Sequence, residues 1–124
     1  MTRNPVGWFE IYVQDMARAK AFYEAVLRIT LQKLESPGPH EMWAFPMEMD
    51  APGAAGALIR MPGVASGGGG TMVYFSCADC AEEAARVLQA GGRVENPKTS
   101  IGEYGFIAHA SDTEGNMFGL HSMQ

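Results

Sequence analysis

The chain has 124 residues, a net charge of -5 and two cysteines, values that fit one small globular domain better than most other classes of protein. Without a Lys/Arg cluster or an apolar run of roughly 20 residues, we expect it neither to bind nucleic acid nor to cross a membrane. The N-terminal sequence lacks a signal-peptide pattern, and two cysteines are too few for a disulfide framework. We therefore expect a cytoplasmic protein whose partners are small molecules or other proteins.

The stretch WFEIYV at residues 8–13 predicts the first strand. Successive side chains of a strand point to opposite faces, so the apolar residues 9, 11 and 13 share the face that is buried. The other face carries Trp8, Glu10 and Tyr12. A carboxylate therefore stands in the middle of a largely aromatic face.

A helix and three strands are predicted after this first strand. The segment DMARAKAFYEAVL has apolar residues at helical spacing, and Asp15 stands where an N-cap is expected. Strands follow around residues 31–34, 42–48 and 55–60, separated by the turn-forming segments SPGPH and MDAPG. The first half, about residues 5–62, is thus predicted to be a β-α-β-β-β module.

The second half repeats this order after a glycine-rich segment. Residues 63–70 predict a linker, because the alternative of a phosphate-binding loop requires a Gly-Lys-Ser/Thr ending that is missing. TMVYFSCAD then matches the first strand at an offset of 64 residues, which aligns Asp79 with Asp15. A helix ending at Gly91 and Gly92 and strands at about residues 93–95, 105–110 and 116–122 complete a module over residues 71–124.

Two motifs, WFEIYV-x-D-x-x-x-A-x-x-FYEAVL and DTEGNMFGLHS, together with this duplication resemble the vicinal oxygen chelate superfamily. That superfamily includes glyoxalase I, bleomycin resistance proteins and extradiol dioxygenases, and the resemblance is greatest to a glyoxalase-like branch of unassigned activity. It implies an α+β fold in which two βαβββ modules form an open cleft, usually in a homodimer. It also implies a metal ion bound by side chains of the first and last strands of each module.

The four positions that correspond to the family's metal ligands are occupied by Trp8, about Ala57, Met72 and Gly119. None of these side chains offers the imidazole or carboxylate that a divalent cation requires. We therefore expect no metal at these positions and no cofactor. A metal-dependent lactoylglutathione lyase or dioxygenase ranks last among the possible functions, since its chemistry needs a Lewis acid.

Glu10 and His121 lie two residues beyond the first and last of these positions, so the alternation predicts that both face the cleft. Glu10 and His121 are therefore the candidate catalytic residues. Four further side chains are predicted to bind the ligand: Trp8, Tyr12, Met72 and Tyr74.

Three interpretations of Glu10 and His121 remain open. In a metal-independent lyase or isomerase, Glu10 acts as base, His121 as its acid partner, and Tyr12 or Tyr74 donates to the developing oxyanion. Alternatively, Glu10, His109 and His121 form a displaced metal site. In the third interpretation a hydrogen-bonded pair orders the cleft of a binding or sequestering protein of the bleomycin-resistance type, which relies on aromatic stacking.

Two other features favour structural roles. Cys77 and Cys80 have the CxxC spacing but lack the context of a thioredoxin-like site, so packed thiols are the better interpretation. Trp43 and Phe45 alternate on one side of a strand and are predicted to belong to the core, with a cap over the ligand as the alternative.

Overall fold

A computed structural model describes residues 4, 6, 8–36, 38–68 and 71–124. The first module contains β1 (Trp8–Tyr12), α1 (Met16–Leu27), β2 (Gln32–Leu34), β3 (Glu41–Ala44) and β4 (Ala55–Arg60). The second contains β5 (Tyr74–Ser76), α2 (Cys80–Gln89), β6 (Arg93–Ser100), a short 3-10 helix (Gly102–Tyr104), β7 (Phe106–Ser111) and β8 (Met117–Ser122). Residues 5, 7 and 37 of the predicted first module and residues 69 and 70 of the predicted linker lie outside the described residues.

The two modules have the same topology. Their four-stranded sheets follow the orders β1-β4-β3-β2 and β5-β8-β7-β6, so the first strand of each module lies beside the last. That pair is parallel, and the other pairs are antiparallel. The predicted α+β fold of two βαβββ modules is confirmed. Among the described residues no helix has the length and apolar character needed to span a membrane.

Both helices begin at an aspartate N-cap, which was predicted for Asp15. The carboxylate of Asp15 accepts a hydrogen bond from Arg18 N at 3.0 Å, and that of Asp79 accepts one from Ala81 N at 3.0 Å. Such caps satisfy backbone N–H groups that have no partner within the helix. Gly91, with φ +96°, follows α2 in the left-handed conformation that glycine adopts without strain.

The predicted ends of the third and sixth strands were wrong, and a proline lies near each of them. The third strand ends at Ala44 rather than at residue 48, because Pro46 has no N–H with which to continue the ladder. The sixth strand runs to Ser100 rather than ending near residue 95. It is the edge strand of its sheet and accommodates Pro97 through register shifts between Val94 and Asn96 and between Asn96 and Thr99.

One hydrophobic core joins the modules. Aromatic rings from both halves contact one another there, with Tyr23 of α1 5.7 Å from Phe118 of β8 and 5.9 Å from Phe75 of β5 between ring centroids. Phe45, which follows β3, lies 5.6 Å from Phe75. Each sheet therefore buries its helix-side face in this core. The opposite face of each sheet lies outside the core, and we call it the open face.

The turn before β8 fastens the second module to the first through Glu114. Its side chain is completely buried and accepts hydrogen bonds from Gln14 N at 3.0 Å and Asp15 N at 2.9 Å. The Arg18 guanidinium donates two more, at 2.6 and 3.0 Å. Burial alone would raise the pKa of Glu114, but these donors and the Thr113 hydroxyl lower it to about 2.

Asp112 and Asn116 extend this junction. Tyr23 donates a buried 2.6 Å hydrogen bond to Asp112, whose other oxygen accepts from Glu114 N and Asn116 N. The Asn116 amide donates to Tyr12 O at 2.9 Å, at the end of β1. The DTEGN segment is thus a polar clamp between the modules.

Candidate functional site

The face of β1 that points away from the helices carries the aromatic and acidic residues predicted for it. Phe9 and Ile11 pack into or against the core, whereas Trp8 is 39% exposed and Glu10 is exposed. The alternation of side chains predicted from WFEIYV is therefore present in the structure. It leaves Trp8, Glu10 and Tyr12 in one row on the open face of the first sheet.

Glu10 holds the two neighbouring rings of this row. Its Oε2 accepts a hydrogen bond from Trp8 Nε1 at 3.2 Å, and its Oε1 accepts one from Tyr12 OH at 2.8 Å. The hydrogen bond to Glu10, partial burial and the negative charge of Glu10 together raise the pKa of Tyr12. The carboxylate therefore restrains the two neighbouring aromatic side chains.

Replacing Glu10 by glutamine is expected to lower the pKa of Tyr12 towards its ordinary value of 10.0, because the charged acceptor that favours the protonated phenol is removed. An alkaline NMR titration of isotope-labelled tyrosine rings measures this shift. Glu41→Gln is the matched control, since Glu41 accepts from Trp43 Nε1 at 2.9 Å across the same two-residue spacing. A Tyr12 pKa that is equal in wild type and Glu10→Gln would contradict the assigned hydrogen bond.

A cavity of about 170 Å³ lies beside this row, between the modules. Glu10 and Tyr12 form one wall, and Asn116 and Met117 at the start of β8 form another. Thr71, just after the linker, also contributes. Both modules therefore line one cavity, the arrangement that the family resemblance implies for a cleft.

The open face of the second sheet carries a tyrosine and a histidine in contact. Tyr74 and His109 flank Gly119 in the strand register, and Tyr74 Oη lies 2.7 Å from His109 Nε2. Their rings meet edge to face, with centroids 5.7 Å apart, and Asn96 Nδ2 lies 3.4 Å from His109 Nδ1. Tyr74 remains 46% exposed.

Gly119 makes this contact possible. A Cβ atom at Gly119 would overlap the Tyr74 ring, so no other residue fits while the ring lies across β8. The position on β8 at which the resemblance implies a metal ligand is thus covered by an aromatic ring.

Glu10 and His121 do not form the hydrogen-bonded pair of the third interpretation. His121 donates through Nε2 to the backbone oxygen of Tyr104 at 2.6 Å, in the 3-10 helix before β7. Both oxygens of Glu10 are used by Trp8 and Tyr12. The alternation placed each side chain on an open face, but it gave no distance between the two sheets.

The residues at the family's metal positions do not fit a divalent cation. The strand register pairs Glu10 with Ala57 and Tyr74 with Gly119, which places Ala57 and Gly119 at equivalent points of the two modules. Neither of these residues, nor Trp8 or Met72, supplies an oxygen or imidazole ligand. Within the described ranges, no three His, Cys, Asp or Glu side chains lie close enough to hold a metal, so Glu10, His109 and His121 are not brought together.

The remaining candidates have structural surroundings. Cys77 and Cys80 are free thiols, and burial beside the Glu83 carboxylate raises the pKa of Cys77 to about 12, which makes it a poor nucleophile. Trp43 packs against the helix side of its sheet, under the Lys20 ammonium at 3.5 Å, rather than over the cleft. Met72 is 37% exposed and lies two residues before β5 rather than in the strand that was predicted to include it.

Sequence reasoning underrated His109 and missed Glu114. The sequence placed His109 only in the alternative metal site, whereas the register of β7 with β8 puts it beside Tyr74. Glu114 lies in a turn, where a solvated carboxylate is the ordinary expectation. The only available signal was its position inside the DTEGN motif.

Comparisons with known proteins agree with this fold. A sequence model of the Glyoxalase/Bleomycin resistance protein/Dioxygenase superfamily matches residues 6–120. A search of curated proteins gave no match. Among solved structures, the V278E mutant of glyoxalase I from Zea mays superposes with a TM-score of 0.76 at 22% identity, over 96% of this chain and 46% of the maize chain.

Two smaller proteins match over nearly their full length. TnmS3, an antibiotic binding protein from Streptomyces sp. CB03234, has 26% identity and a TM-score of 0.66, with 98% of each chain covered. The hypothetical protein SA1046 from S. aureus has 17% identity and a TM-score of 0.70, over 98% of this chain and 95% of that one.

Proposed function

We propose that this chain, which belongs to the Glyoxalase/Bleomycin resistance protein/Dioxygenase superfamily, binds a small, partly aromatic molecule without a metal at the family's positions. The observation that carries the proposal is that aromatic rings occupy or cover positions at which the family has metal ligands. Trp8 stands at one such position, and Tyr74 covers another at Gly119. Both rings belong to hydrogen-bonded groups on open sheet faces.

Aromatic rings fixed in this way suit stacking against a planar ligand. Restrained side chains lose less conformational entropy on binding than free ones, so more of the contact energy appears as affinity. Glu10 and Asn116 add polar groups at the neighbouring cavity, where a ligand donor or acceptor can be oriented. The likeness to an antibiotic binding protein over the whole chain supports a sequestering or carrier role.

A metal-independent acid/base enzyme is the second candidate. Glu10 lines the cavity with Tyr12, which donates to it, so a bound carbonyl compound would meet a base and a hydrogen-bond donor together. His121 as the acid partner would have to leave the Tyr104 oxygen. Turnover that is abolished in Glu10→Gln while the fold is retained would favour this candidate, and ligand recovered unaltered from wild type would reject it.

We also propose that the chain forms a homodimer. Several apolar side chains on or beside the open faces are substantially exposed: Trp8, Met72, Tyr74, Tyr104 and Met117. A second copy would cover such surface and close the cleft. Sedimentation equilibrium of the untagged protein at micromolar concentration tests this, and a monomer throughout would refute it.

Metal analysis separates the proposed binding protein from a relocated metal enzyme. After incubation with divalent ions and desalting, wild type is expected to hold well below one metal per chain, because the family positions lack ligands. Glu10→Gln and His121→Ala should give the same value. Near-stoichiometric metal in wild type that is lost in both variants would overturn the metal-free proposal and restore Lewis-acid chemistry.

A further inference from the structure

The second helix carries a largely buried carboxylate where the first helix carries a methyl group. The N-caps Asp15 and Asp79 set an offset of 64 residues (79 minus 15), which aligns Glu83 of α2 with Ala19 of α1. Ala19 is 1% exposed, and the Glu83 side chain is 15% exposed. A glutamate at such a position needs a physical reason, because carboxylates are rarely buried unless they are paired.

The pairing of Glu83 is incomplete. Its Oε2 contacts Arg86 Nη2 at 3.3 Å, but its Oε1 is shielded from solvent and has no hydrogen-bond partner among the described residues, because the neighbouring Cys77 thiol donates to Phe75 O at 3.5 Å. Arg86 is also committed elsewhere, because its Nε donates to Val26 O at 2.8 Å. Glu83 Oε1 is the only buried side-chain oxygen or nitrogen without a partner in the described part of the chain.

Glu83 borders a cavity of about 270 Å³ on the helix side of the sheets, separate from the cleft described above. Phe9, Phe45 and Phe75 form much of its wall, and their centroids lie 5.5, 6.1 and 5.6 Å apart in pairs. Leu27 supplies a further apolar side. Aromatic faces and one carboxylate are the combination that proteins use to bind organic cations.

We propose that this cavity, which we call the Glu83 pocket, binds a small aromatic amine. The ammonium group donates to Glu83, and the ring packs among the three phenylalanines. An engineered apolar cavity of about 150 Å³ binds benzene, so the larger Glu83 pocket has room for a phenyl ring and a short amine arm. Rotation about the Cγ–Cδ bond of Glu83 presents an oxygen to the ligand, since such terminal torsions are broad.

Titration with phenethylamine, followed by NMR of the labelled protein, tests the proposal. We expect saturable shifts of the Leu27 methyl and Ser76 amide signals, because both residues line the Glu83 pocket. Hydrocinnamate, which has a carboxylate in place of the ammonium, should cause none of these shifts. Glu83→Gln should weaken phenethylamine binding by about tenfold, the scale expected for loss of one charge-assisted hydrogen bond.

Two further variants provide the controls. Glu82→Gln removes the same charge from the adjacent, exposed residue and should leave the affinity unchanged. Glu83→Ala restores the residue found in the first module, should fold, and should lose phenethylamine binding. Equal affinity in wild type and Glu83→Gln, equal weakening in Glu82→Gln, or binding of hydrocinnamate at the same signals would each overturn the proposal.

Discussion

Glu114→Ala is expected to destabilise the protein by about 3 kcal/mol, because two backbone N–H groups and one guanidinium lose their buried acceptor. The backbone donors are Gln14 N and Asp15 N, at the junction between β1 and α1. Arg18 contributes less to the loss, since its side chain is 51% exposed and can turn to water. Urea unfolding of wild type and variant, with equal slopes, gives the difference directly.

Glu114 also makes the free energy of unfolding depend on pH in the acidic range. The folded pKa of Glu114, about 2, lies below its ordinary value of 4.5, so its contribution is complete above about pH 4.5 and declines as the pH falls towards 2. Glu114→Gln should flatten this part of the stability profile. Glu103→Gln, an exposed glutamate, should leave both stability and the acid profile unchanged. A Glu114→Ala loss no larger than that of the Glu103 control would contradict the clamp.

Gly119→Ala is expected to cost about 1–3 kcal/mol, because the added methyl group overlaps the Tyr74 ring and one of them must move. The displaced ring should also leave His109, which lies 2.7 Å from its hydroxyl. Chemical denaturation measures the first effect, and the NMR signals of the His109 ring measure the second.

A double-mutant cycle isolates the cause of this loss. In a Tyr74→Ala background the ring is gone, so Gly119→Ala should cost less than about 0.5 kcal/mol. Alanine has a lower conformational entropy cost than glycine in a strand, which makes a small stabilisation an acceptable result there. A full cost that persists without Tyr74 would show that the ring does not require Gly119.

Local patterns predicted the order of the elements and the open face of β1. Aspartate caps, strand alternation and the internal repeat depend on residues close in sequence, so Asp15, Glu10 and Asp79 could be interpreted without a structure. Strand ends were less certain, because Pro46 and Pro97 act through the ladder of a particular neighbouring strand.

The contacts between sheets and modules could not be predicted in this way. Glu114 contacts Gln14 and Arg18 across about a hundred residues, and nothing in its local sequence specifies them. The Tyr74 contact with His109 depends on the register of β5, β7 and β8. Glu83 has the appearance of a surface residue until the repeat aligns it with Ala19.

The central claim is that the open faces bind an aromatic ligand without a metal, and the Trp8 indole signal tests it most directly. Trp8 Nε1–H donates to Glu10, and Trp43→Phe identifies its signal because the chain has two tryptophans. Titration with naphthol, with and without chelator, should shift the Trp8 signal in a saturable manner and to the same extent. No shift at Trp8, or a shift that requires added divalent metal, would contradict the proposed function.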